Sequence, residues 1–79
     1  MQAQDIADVV KTHRKAAKIS RVQLAEMAGV GKTVIYDIEN GKESVRLDTL
    51  RKILKVLNIK ILLTSPLLDY TYNTGNEKG

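Results

Sequence analysis

The chain has no cysteine and a single histidine, His13. Disulfides and thiolate zinc sites are therefore excluded, and one imidazole cannot build a metal site. No apolar run approaches the ~20 residues needed to span a bilayer. The first ten residues, MQAQDIADVV, lack the basic-then-apolar order of a secretion signal, so a cytoplasmic setting is expected. No Ser/His/Asp or Cys/His combination offers nucleophilic catalysis, and no enzyme activity or cofactor is expected. Asp5 and Asp8, three residues apart, are explained by duty at a helix N-terminus. GVGKT (29–33) looks like a phosphate loop, but the full pattern needs glycine where Glu26 stands and a strand in front.

With 79 residues there is room for one small domain. A core of that size is marginal alone, and with disulfides and metals excluded a second chain is the remaining support. Charge is uneven. Residues 1–64 hold 12 lysines and arginines against 7 acidic residues, a net of +5, and residues 65–79 come to −1. A basic body fits a polyanion partner, although ordinary solubility would also account for it.

Apolar residues recur at helical spacing in four segments. In the first, residues 4–18, Ile6, Val9, Val10, His13, Ala16 and Ala17 form one stripe, with Lys11, Arg14, Lys15 and Lys18 off it. His13 at the stripe's edge reads as a packing or surface residue. The second starts at Ser20, where Ser20-x-x-Gln23 is a capping box. Leu24, Ala25 and Ala28 face inward, Ala25 being small enough for a close helix crossing. Gly29 ends the segment at positive φ. The third runs over residues 32–40, burying Ile35 and Ile38, with Gly41 at its C-terminal stop. The fourth, residues 47–57, carries Leu47, Leu50, Leu54 and Leu57, widened by Ile53 and Val56, and stops at Asn58.

Residues 59–64 (IKILLT) are short and β-branched, and they predict a strand presenting Ile59, Ile61 and Leu63. After four helices no other strand is evident, and a lone edge is a liability. The same strand from a second copy, antiparallel across a twofold axis, removes it. The alternative is that 59–64 extends the fourth helix or wraps as coil. Pro66 ends the element. Leu67, Leu68, Tyr70 and Tyr72 either fold back or offer a docking peptide, and residues 73–79 have a disordered composition.

Two short helices joined by a tight turn at residues 28–31 make a helix-turn-helix, a device for placing one helix in the DNA major groove. Leu24-Ala25, Ala28-Gly29-Val30, Ile35 and Ile38-Glu39-Asn40-Gly41 resemble the lambda-repressor/Cro-like (XRE-type) helix-turn-helix family. The resemblance implies an all-α domain of four to five helices over residues 1–64, with a structural clamp between Arg14 and Glu39. Adding the leucine-rich fourth helix and Leu57-Asn58-Ile59-Lys60-Ile61, the chain looks most like the HipB-type antitoxins. That likeness implies strand pairing across a homodimer, repression of the chain's own operon and capture of a HipA-like kinase toxin. A stand-alone phage- or plasmid-type regulator without a toxin is the other reading. The chain departs from the family pattern at Arg21, Gly31, Lys32 and Tyr36, so no operator sequence carries over. Gly31 can still serve as an N-cap, giving up a few tenths of a kcal/mol against a side-chain cap.

On double-stranded DNA the third segment would enter the groove N-terminus first. Lys32 would donate to guanine O6 and N7, and Thr33 would offer its hydroxyl or methyl group. Asp37 either accepts from cytosine N4 or pairs with a nearby lysine. Tyr36 either meets sugar and phosphate or packs on the second segment. Phosphates fall to Ser20 and Arg21 at the start of the second segment and to Asn40 and Lys42 after the third, with Lys18 a further candidate. A dimer would set two reading helices ~34–36 Å apart on a palindromic operator.

Overall fold

The computed structural model describes residues 2–67 and 69–72. Four helices come first: α1 (Ala3–Ala16), α2 (Arg21–Ala28), α3 (Lys32–Glu39) and α4 (Leu47–Val56). Two strands follow, β1 (Ile61–Thr64) and β2 (Asp69–Tyr72). Helix α3 packs across α1 and α2, and α4 closes over α2. Val10, Leu24, Ala25, Ile35, Ile38, Ile53 and Leu54 meet in one buried cluster, so every helix contributes to a single core. Leu24, Ile35, Ile53 and Val10 are sealed completely.

The inward faces differ from expectation in two places. On α1 the buried line is Ala7, Val10 and Arg14, while Val9, His13, Ala16 and Ala17 are exposed. Arg14 wins a place inside because Glu39 meets it there, a pairing that hydrophobicity alone does not reveal. His13 is a surface residue with its Nδ1 2.8 Å from the Val9 carbonyl oxygen. On α4, Ile53 and Leu54 are the buried pair, and Leu47, the first residue of the helix, is largely exposed.

All four helices stop the same way. The residue after the last turn is left-handed: Lys18 (φ 61°), Gly29 (φ 72°), Gly41 (φ 83°) and Asn58 (φ 59°). In each case the next amide reaches back to a carbonyl five residues earlier: Ile19 to Arg14, Val30 to Ala25, Lys42 to Asp37 and Ile59 to Leu54. These closures satisfy the carbonyls that a helix C-terminus leaves open. The expected stops at Gly29, Gly41 and Asn58 thus have a common mechanism. At Lys18 an ordinary side chain is held where glycine is preferred, at a cost of about 1 kcal/mol. Lys18→Gly is expected to raise the urea midpoint, and Gly29→Ala to lower it by a comparable free energy; urea titrations of both variants against the parent check the pair.

The C-terminal strand requires a correction. The expectation that β1 has no partner in its own chain is wrong. It pairs antiparallel with β2, in the register Ile61 to Tyr72, Leu62 to Thr71, Leu63 to Tyr70 and Thr64 to Asp69. Tyr70, Thr71 and Tyr72 are good strand formers, and Pro66 helps the intervening chain to turn. The strand also begins at Ile61 rather than residue 59, because the Ile59 amide is spent closing α4. The disorder expected for residues 73–79 lies outside the described residues, as does Leu68.

Candidate nucleic-acid interface

Two helices of eight residues each, α2 and α3, are joined through Gly29, Val30 and Gly31. The capping box at the start of α2 is formed in full. Ser20 Oγ accepts from the Gln23 amide at 3.0 Å, and Gln23 Oε1 accepts from the Ser20 amide at 2.7 Å. Helix α3 starts without a side-chain cap, at Gly31 in extended conformation (φ −74°, ψ 148°). No atom lies within 4 Å of where a Gly31 Cβ would stand. Gly31→Ser is therefore expected to stabilise the domain by about 0.5–1 kcal/mol, through a cap for the first turn and a stiffer unfolded chain. A thermal melt followed by circular dichroism reads the gain.

The clamp between Arg14 and Glu39 is present and more extensive than expected. Arg14 Nε donates to Glu39 Oε2 at 2.6 Å and Nη2 donates to Oε1 at 3.1 Å. Its Nη1 donates to the Ile19 carbonyl at 3.0 Å, tying the turn between α1 and α2 to the same group. Arg21 Nε adds a second cation, donating to Glu39 Oε1 at 3.0 Å. The Glu39 side chain is 2% exposed, against 8% for Arg14 and 38% for Arg21. Burial pushes the Glu39 carboxyl up, but the hydrogen bonds and charges of Arg14 and Arg21 outweigh it and hold it below the ordinary carboxylate range. In return the Glu39 hydrogen bond raises Arg21, outweighing its own desolvation. No buried side-chain nitrogen or oxygen among the described residues lacks a partner.

The inward edge of α3 is thus locked by Ile35, Ile38 and Glu39. Its other edge is open. Lys32 and Thr33 are exposed in the first turn, where the sequence places base readers. Tyr36 is 42% exposed, and the Arg21 guanidinium lies over its ring at 4.9 Å from the centroid. Of the two roles left open for Tyr36, packing against α2 is the one seen in the free chain. Asp37 is paired as well: Lys42 Nζ donates to its Oδ2 at 3.4 Å, a surface pair worth little to stability. Asn40 follows α3 as an exposed C-terminal residue, and Ser20 and Lys18 are exposed at the mouth of α2. The candidate residues thus lie on the exposed side of α3 (Lys32, Thr33, Tyr36), just past its C-terminus (Asn40, Lys42) and at the start of α2 (Lys18, Ser20, Arg21). Sequence reasoning missed that Arg21, Tyr36 and Glu39 meet. The three-residue step from Tyr36 to Glu39 puts both on one side of α3. Nothing local says that Arg21 from another helix lands between them.

Among known proteins, a family model described as helix-turn-helix (HTH_3) matches residues 10–63. The chain is 32% identical to the control protein C.SmaI of Serratia marcescens, over 94% of this chain and 83% of that protein. It is also 32% identical to the HTH-type transcriptional regulator y4mF of Sinorhizobium fredii, over 78% of this chain and 82% of that one. Among solved structures, it is similar to an HTH_3 family transcriptional regulator from Vibrio cholerae, with a TM-score of 0.65 and 33% identity. That match covers 72% of this chain but only 32% of the other, so the chain spans about a third of that regulator. A chain of the HipA-HipB-O2-O3 complex matches with a TM-score of 0.74 over 84% of this chain and 93% of its own length. At 24% identity this last likeness speaks for the fold alone.

Proposed function

The chain belongs to the HTH_3 family of XRE-type helix-turn-helix transcriptional regulators, and from that premise we propose that it acts as a homodimer that represses transcription from a palindromic operator. One observation carries the reading: α3 is locked inward by Ile35, Ile38 and Glu39 while Lys32 and Thr33 stand exposed on its first turn. Lys32 reads guanine, Thr33 contacts a neighbouring base, and Asp37 gives up its pairing with Lys42 where a cytosine is in reach. Ser20, Arg21, Asn40, Lys42 and Lys18 serve the phosphates on either side.

The dimer rests on the edge of β1 that β2 leaves open, and on the apolar surface beside it. Leu62 and Leu63 are exposed there. Joining two β1 edges would give a four-stranded sheet with the two β1 strands at its centre and a β2 at each edge. Gel shift on a fragment of the chain's own promoter, with sedimentation equilibrium at the same concentration, tests both halves. A single-chain species with no preference for that fragment over scrambled DNA would overturn the proposal.

An antitoxin role is the second reading. It is favoured by the order of elements, a leucine-rich fourth helix followed directly by Leu57-Asn58-Ile59-Lys60-Ile61 and a short strand. In that case the hairpin loop offers Leu67, 91% exposed, to a toxin. Deleting residues 65–79 is a poor test because it also removes β2. A better one is co-purification of the adjoining gene's product, which Leu67→Asp should abolish while operator binding persists. No co-purification would leave the stand-alone regulator.

A further inference from the structure

Tyr36 sits on the reading helix, yet its ring is not free to read. The Arg21 guanidinium lies over it at 4.9 Å from the centroid, while Arg21 Nε is held by Glu39 Oε1 at 3.0 Å. The carboxylate that holds it is itself fixed by Arg14 through two hydrogen bonds inside the core. The guanidinium is thus gripped on its face by an aromatic ring and on its Nε edge by an anchored carboxylate. An arginine on a flexible stem normally loses rotamer freedom when it binds an anion. Here that freedom is already gone. With Nε taken, the Nη groups are the donors left, on a side chain 38% open to solvent beside the exposed face of α3.

We propose that Tyr36 is a positioning residue, whose ring holds Arg21 as a preformed fork for a DNA backbone phosphate at the junction of α2 and α3. This rests on the DNA-binding reading above and gives Tyr36 a part in it. Tyr36 contributes affinity for any sequence, through Arg21, rather than choice of base. The ring is the main hold, because a phenylalanine presents the same face to the cation; the Tyr36 hydroxyl adds only the smallest of the interactions that raise Arg21.

The test uses the full chain and a 30-base-pair mixed-sequence duplex, since a phosphate contact is indifferent to sequence. Fluorescence anisotropy across a salt series gives both affinity and salt slope. Tyr36→Phe is expected to bind like the parent. Tyr36→Leu should weaken binding by about two- to five-fold, the range of an exposed cation–π contact. Arg21→Ala should weaken it further and flatten the salt slope by about 0.9, as loss of one phosphate contact does. In the Arg21→Ala background, Tyr36→Leu should then change nothing. Both side chains are partly exposed, and thermal melts confirm that the variants stay folded.

Losses from Tyr36→Leu that persist without Arg21 would show the ring touching DNA itself and overturn the proposal. So would a Tyr36→Leu variant that binds like the parent, or a Tyr36→Phe variant that binds like Tyr36→Leu. If the parent chain binds no duplex at all, the DNA-binding reading falls first and this inference with it.

Discussion

Glu39→Ala is expected to remove most of the domain's stability. The substitution strips the partner from Arg14, whose side chain is 8% exposed and spends Nε, Nη1 and Nη2 on Glu39 and Ile19. A buried charge left without its counter-ion typically costs ~3–5 kcal/mol. Small domains have ~5–15 kcal/mol in total, and one of this length sits toward the lower end. Urea denaturation followed by circular dichroism should show the midpoint collapse. Arg21→Ala makes the contrast, because it removes a partly exposed partner and leaves the Arg14 pair intact. The same carboxylate sets an acid limit. Its folded pKa lies below the ordinary value, so its contribution is complete above the unfolded pKa and is lost as pH falls through the folded one. Stability of the parent should therefore drop below about pH 4.5, and a Glu39→Gln variant should lack that part of the drop.

Lys32→Ala should change which DNA is bound more than how tightly DNA is bound. Lys32 is exposed at the first position of α3 and takes no part in the Glu39 cluster. Removing a donor to guanine O6 and N7 should cost about 1–3 kcal/mol on the matching operator and close to nothing on operators altered at that base pair. Arg21→Ala should cost every sequence alike. Titrations against a panel of single-base operator variants separate the two profiles. Parallel losses for both variants on operator and scrambled DNA would remove the division between reading and gripping.

Much of the reading unit was legible in the sequence because its signals are local. The Ser20–Gln23 box, the Gly29 and Gly41 stops, and the Ile35 and Ile38 pair depend on neighbours within four residues. The Arg14–Glu39 clamp came from family resemblance, and hydrophobic periodicity worked against it by putting Arg14 on the outside. What escaped is non-local. Arg21 and Tyr36 lie on different helices, and their meeting depends on the angle at which α3 crosses α2. The β1–β2 pairing escapes the sequence for a simpler reason: Asp69–Tyr72 is four residues long and follows Pro66 in a stretch with the composition of a tail. Two tyrosines flanking a threonine were the available signal.

The reading helix is only eight residues long, about 12 Å from end to end. In water a peptide of that length does not hold a helix; ~12–15 residues are marginal even for favourable sequences. Lys32–Glu39 cut from the chain would therefore be a coil with no groove-shaped edge. The surface that recognises an operator is manufactured by the core behind it and exists only while that core stands. Operator occupancy and unfolding must then share one temperature profile, with bound DNA pushing both toward higher temperature by mass action.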